Sequence, residues 1–97
     1  MKVSFHDAAQ GEVLEAGRYY REHGGAEVAQ RLAQEFERAY GRLLEFPEIG
    51  AIWRKATRRL PINRFPYSLV YYLRPDEIRV IAFAHQSRRP GYWRGRR

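Results

Sequence analysis

"YSLVYYLRPDEIRVIAFAH" (Tyr67–His85) decides the fold. Its first part, Tyr67–Arg74, is β-branched and aromatic throughout, which predicts a central strand. "PDE" (Pro75–Glu77) supplies turn chemistry. Ile78–His85 has few polar positions and reads as a second strand covered on much of both faces. Upstream, "RRLPINRF" (Arg58–Phe65) puts Leu60 and Ile62 on one face, and Pro61 marks it as an edge strand or a strand with a break. Before "EFPEIG" (Glu45–Gly50) the apolar period is 3.6 rather than 2. Ala29, Leu32, Ala33, Phe36, Tyr40 and Leu43 form one stripe of a helix running from about Ala26 to Glu45, which Pro47 ends. Ala9, Val13, Ala16 and Tyr20 form another, with Asp7 expected as its N-cap and Gly24-Gly25 as its stop. "KVSF" (Lys2–Phe5) alternates and opens the chain as a short strand. The order β-α-α-β-β-β predicts an α+β domain with a helical hairpin packed on an antiparallel sheet.

Ninety-seven residues, 44% of them hydrophobic, suit one small domain over residues 1–97 with a single modest core. There are no cysteines, so disulfides and thiolate chemistry are excluded. No signal-peptide apolar region follows Met1, and no apolar run approaches the roughly 20 residues of a membrane helix. The expectation is a soluble, cytoplasmic protein with no membrane partner. The net charge of +7 is unevenly placed. Residues 1–50 carry six basic and nine acidic side chains, net −3; residues 51–97 carry twelve basic side chains against Asp76 and Glu77, net +10. A scaffold carrying a positive face points to an acidic or polyanionic partner, against the alternative of a merely solvated basic surface.

Most catalytic chemistry has no foothold. His6, His23 and His85 have no companions at metal-ligand spacing, so no metal is expected, nor any cofactor. No glycine-rich phosphate loop lies between a strand and a helix, and no serine sits in a nucleophile elbow. The acids fall on helix flanks where solvation explains them. What remains is basic and aromatic: Lys55, Arg58, Arg59 and Arg64 around one strand, and Arg88, Arg89, Tyr92 and Trp93 after the last. Guanidinium groups bind phosphate through forked hydrogen bonds, and Tyr and Trp stack on bases. If this surface cleaves RNA, Lys55, Arg58, Arg64 and Arg88 are candidates for stabilising charge, and His85 and Tyr92 for moving protons. As structural groups, His85 is a hydrogen-bonded strand end, and Tyr92 and Trp93 pack the tail onto the domain. Arg94–Arg97 has no apolar anchor and is expected to be a mobile basic tail.

"VSFHDAA", "EAGRYY" (Glu15–Tyr20), "FPEIG" (Phe46–Gly50), "RRLPINRFPYSLVYYL" (Arg58–Leu73) and "IRVIAFAHQSRRPGYW" (Ile78–Trp93) together resemble the ParE/RelE superfamily of toxins from bacterial type II toxin–antitoxin (plasmid stabilisation) modules. The resemblance implies the same β-α-α-β-β-β fold, growth inhibition, and neutralisation by a cognate antitoxin that is partly disordered when free. RelE-like members cleave messenger RNA on the ribosome; ParE-like members poison DNA gyrase. The ending "AHQSRRPGYW" is similar to the His-x-x-Arg-Arg endings of ParE-like proteins, and Arg88 and Tyr92 meet the RelE pattern only with a shift in register. The resemblance therefore favours a ParE-like gyrase inhibitor, with a RelE-like endoribonuclease as the alternative. It places target binding on Arg59, Arg88, Arg89, Tyr92 and Trp93. A non-toxic nucleic-acid-binding domain is the rival from another class, marked by salt-dependent binding without growth arrest.

Overall fold

In the computed structural model, which describes all 97 residues, the elements are β1 (Lys2–Phe5), α1 (Asp7–Glu45), β2 (Ala51–Ile52), β3 (Arg58–Pro61), β4 (Tyr67–Leu73) and β5 (Glu77–His85). The five strands form one sheet in the order β1-β5-β4-β3-β2. All neighbours are antiparallel except β1 and β5, which run parallel from Lys2 opposite Glu77 to Phe5 opposite Val80. The α+β class stands, and the expectation of an antiparallel sheet is corrected to a mixed one at that edge. A parallel pair needs a long connection, and the whole of α1 and three strands lie between β1 and β5.

α1 is a hairpin in one helical run. Gly25 inside it has φ 85° and ψ 174°, a combination that only glycine adopts readily. A straight helix of its 39 residues would span about 58 Å at 1.5 Å per residue. The longest dimension of the molecule is 39 Å, so the two arms, residues 7–24 and 26–45, fold back on each other. The groove between them pairs Val13 and Gly17 of one arm with Ala33 and Phe36 of the other, as an antiparallel reversal at Gly25 requires. The N-cap is His6 rather than Asp7: its Nδ1 accepts the Ala8 N–H at 3.0 Å. Asp7 instead places its negative charge in the first turn, where the helix dipole favours it.

The hairpin covers one face of the sheet. Ala9, Ala16, Leu32 and Leu43 pack there on Leu69, Tyr71, Ile78, Val80 and Phe83. On β5 the side-chain alternation breaks at Ile81, because a bulge sets Val80 opposite Tyr71 and Ala82 opposite Val70, leaving Ile81 unopposed. Ile81 and Ala82 therefore both join Val70 and Trp93 in a second, smaller core on the other face. That bulge is why β5 reads as apolar on both faces.

β4 is the central strand, as expected. The predicted strand from Arg58 to Phe65 stops at Pro61, which pairs with Ser68 of β4 only; β2 reaches no further along β3 than Arg58 and Arg59. β2 and β3 are joined by a tight turn in which Lys55 and Ala56 both have positive φ, 58° and 62°, and the Thr57 N–H bonds back to the Arg54 carbonyl at 3.1 Å. This is the hairpin turn whose twist matches that of paired strands. Tyr71 ties the end of the hairpin to the sheet: its hydroxyl accepts the Gly50 N–H at 2.9 Å and donates to the Pro47 carbonyl at 2.8 Å. No helix is long and apolar enough to cross a membrane.

Candidate functional site

After β5 the chain folds back across the sheet face that the helices leave free. The Gln86 N–H bonds to the Pro66 carbonyl at 2.8 Å and the Arg88 N–H to the His85 carbonyl at 3.0 Å, which holds the exit from the strand. Pro90 and Gly91, the latter with φ 84°, then redirect the chain. Trp93, only 3% exposed, lands on Val70, Ile81 and Ala82 and buries them. A large apolar ring is what makes this short segment dock, since aromatic burial dominates such contacts.

A second anchor comes from α1. Glu12 accepts the Tyr92 hydroxyl at 2.8 Å, the Arg96 guanidinium at 3.0 and 3.2 Å, and the Phe83 backbone N–H at 3.0 Å. Arg96 donates as well to the Ile81 carbonyl at 2.9 Å. Glu12 and Arg96 thus serve backbone groups of β5 beyond the point where β1 turns into the helix, where an adjacent strand would otherwise have paired them. Their ion pair is the one in this molecule with both side chains four-fifths buried, at 18% and 19% exposure. The expectation that residues 94–97 lack an anchor is corrected at Arg96; Arg94 and Arg97 remain exposed. The Arg97 carbonyl accepts a hydrogen bond from Arg79 at 3.2 Å.

The folded-back segment and β3 enclose a cleft of about 100 Å³ whose lining includes Trp53, Arg59, Val70, Arg88, Tyr92 and Trp93. Arg59 lies over the Trp53 ring at 3.7 Å and Arg88 over the Tyr92 ring at 4.0 Å. Of the residues predicted to bind a target, the structure brings Arg59, Arg88, Tyr92 and Trp93 together here. Arg89 does not line the cleft; it is exposed on the other side of Tyr92, beside Pro90, Gly91 and Arg94.

Of the predicted nuclease candidates, His85, Arg88 and Tyr92 line the cleft, and Lys55, Arg58 and Arg64 do not. Arg58 points its guanidinium at the Glu48 and Gly50 carbonyls, both at 2.9 Å, and so fastens the loop after the helix. Lys55 and Arg64 are exposed at positive-φ positions, φ 58° and 69°, and neither lines the cleft. His85 borders the cleft, but its ring meets Tyr67 edge-on at 5.0 Å, and its Nδ1 accepts the Ser87 N–H at 3.0 Å. Tyr92 is half-buried. Burial first, and then the hydrogen bond to Glu12, raises its phenol far above the ordinary tyrosine value. A phenol held neutral in this way is a poor proton acceptor. Two participants were missed from sequence: Trp53, which the turn at Lys55 and Ala56 brings in, and Glu12, which has the appearance of one more solvated helix acid.

With a helix hairpin on one side of the sheet and a basic and aromatic cap on the other, the chain is a small α+β domain. The same fold is found in the solved structure titled "Chromosomal ParDE TA system from P. aeruginosa", with a TM-score of 0.75 and 19% sequence identity over 88% of this chain and 95% of that one. From residue 3 to residue 90 the sequence matches the family described as "ParE toxin of type II toxin-antitoxin system, parDE", and the chain belongs to that family. No curated protein matches it.

Proposed function

We propose that this chain arrests growth as a ParE-like toxin, by holding DNA gyrase in a stalled complex with cleaved DNA, and that a cognate antitoxin neutralises it in the cytoplasm. The observation that carries the choice of target is the state of Tyr92. Its hydroxyl is committed to Glu12 and its proton is held tightly, while Arg58 is spent on loop carbonyls. RNA cleavage by an attacking 2′-hydroxyl asks for a base beside free cations, and His85, the other candidate at the cleft, has its Nδ1 taken by the Ser87 N–H. A binding surface asks only for fixed donors and rings, which the cleft supplies. Arg59, Arg88, Tyr92 and Trp93 are the residues we assign to target binding, with Arg89 adding charge at the rim.

The antitoxin is proposed as an acidic, amphipathic segment that orders on binding. The net charge of +10 over residues 51–97 offers it charge complementarity. The apolar groove between the helical arms, lined by Val13, Leu32 and Phe36, offers it burial.

One purified sample tests the target. In a supercoiling reaction with gyrase, the protein is expected to accumulate cleaved DNA trapped in complex, and in a translating extract to leave messenger RNA without new ends. New RNA ends without trapped gyrase would reverse the assignment. In cells, expression alone is expected to stop growth and co-expression of the antitoxin to restore it. Arg88→Ala with Arg89→Ala is expected to abolish the arrest with little change in thermal midpoint, since exposed arginines contribute little to folding.

A further inference from the structure

We propose that the cleft between Arg59 and Arg88 is a receptor for one carboxylate side chain of the toxin's protein target. The inference deepens the function proposed above and rests on it for the identity of the partner.

Three observations converge on the cleft. Its two guanidinium groups make no hydrogen bond and no ion pair within the chain; each lies only over a ring, Trp53 or Tyr92. No acid lines the cleft. The indole N–H groups of Trp53 and Trp93, both lining residues, are buried without an acceptor. A buried donor without a partner costs about 1–3 kcal/mol and is rare enough in folded proteins to call for an explanation. Cations without anions ask for a compact group rich in lone pairs, and the two indoles beside them can report its arrival.

Size and shape select among anions. At about 100 Å³ the cleft has room for roughly three waters' worth of ligand, and so for one small group. An ionised carboxylate presents two oxygens with about four lone-pair sites and matches the arginine fork. That is enough to serve both guanidinium groups at once. A phosphodiester must continue on both sides and needs an open track. Single-stranded nucleic acid also needs free ring faces on which its bases stack. Here Arg59 covers a face of Trp53, Arg88 covers a face of Tyr92, and Trp93 is packed on Val70, Ile81 and Ala82. An aspartate or glutamate side chain of a protein partner fits what is left.

The test follows the two indole N–H resonances of the whole 15N-labelled chain during titration with sodium acetate, dimethyl phosphate or sodium chloride at constant ionic strength. Acetate is expected to move both signals saturably, with half-saturation at least tenfold below that of dimethyl phosphate. Arg59→Gln with Arg88→Gln is expected to raise the acetate midpoint tenfold or more, the scale of one lost charge-assisted hydrogen bond. Arg59→Lys with Arg88→Lys keeps the charge and removes the fork, and should weaken acetate as well. It is the working comparison if the glutamine pair does not fold. Shifts no larger with acetate than with chloride would overturn the receptor. Tighter binding of dimethyl phosphate would overturn it in favour of a nucleic-acid backbone. In cells, the glutamine pair should lose growth arrest yet still co-purify with antitoxin; the reverse pattern would overturn the assignment to the target. The titration does not depend on toxicity. A chain that binds acetate here but traps no gyrase would refute the proposed function and leave the site standing.

Discussion

Tyr92 joins the chemistry of the cleft to the stability of the fold. The folded chain holds its phenolic proton more tightly than the unfolded chain, whose tyrosine titrates near the ordinary value of 10.0. Stability from this group is therefore complete below about pH 10 and is lost as the pH climbs toward the raised folded-state value. Tyr20, Tyr67 and Tyr71 are raised too, each chiefly by burial, so the wild-type curve alone does not isolate Tyr92. Urea unfolding between pH 8 and 11 is expected to show wild type losing stability faster than Tyr92→Phe above pH 10, a gap that closes if the phenol is unshifted. Tyr71 offers a second case away from the cleft. Tyr71→Phe leaves the buried Gly50 N–H and the Pro47 carbonyl without their partner, and should cost about 2–3 kcal/mol in the same assay. At this scale the sequence was only half legible. Arg88 and Tyr92 could be named because they follow a strand, and Arg59 because it lies in a basic one. Glu12 could not: its partners Tyr92 and Arg96 lie 80 and 84 residues away, and nothing in a helix's own periodicity distinguishes an acid that reaches a distant backbone from one that reaches water.

Elements were far more legible, because the period of apolar residues is local. The two helical stripes, the reversal at Gly24-Gly25 and the strands at Lys2–Phe5 and Tyr67–Leu73 all follow from it. What escaped had no local signal. β2 is two residues long, and its turn to β3 uses Lys55 and Ala56 at positive φ where Asn-Gly would have announced a hairpin. The parallel pairing of β1 with β5 depends on where a long excursion returns. Two glycines of the helical hairpin separate a required position from a tolerated one. Gly25→Ala has open space around the added methyl group but forces alanine to φ 85°, and is expected to destabilise by about 1–3 kcal/mol. Gly41→Ala also meets open space, in an ordinary helical position, and is expected to stabilise by about 0.5–1 kcal/mol. Thermal midpoints moving in opposite directions check both. A midpoint that does not fall for Gly25→Ala would mean that the reversal at Gly25 is not needed for the hairpin to pack, and one that falls for Gly41→Ala would overturn only the second prediction.

Across the whole molecule, charge and shape are divided between the two sides of the sheet. The helical arms hold nine of the eleven acids together with the loop that follows them, and residues 51–97 hold the net +10. An acid from the first side, Glu12, reaches around the edge of β5 to hold the basic end of the second. The closing residues 94–97 therefore combine two contributions that charge counting merges: Arg94 and Arg97 are exposed, and Arg96 is anchored. Removing them separately tells the contributions apart. Arg94→Ala with Arg97→Ala deletes two charges and keeps the anchor, so gyrase trapping should weaken only modestly, and mainly at low salt, where the long-range attraction of a positive face is not screened. Deleting residues 94–97 removes one charge more but also strands Glu12 with an uncompensated, largely buried carboxylate. Loss of a charge-assisted hydrogen bond to such a group costs about 1.5–3 kcal/mol, so the deletion should lower the thermal midpoint measurably and loosen Tyr92 over the cleft. Its loss of gyrase trapping should then persist at raised salt, where screening brings the double variant and wild type together. If the deletion merely continues the trend of the double variant, in stability and in salt dependence alike, Arg96 is one more surface charge and the latch to Glu12 does not hold the cap in place.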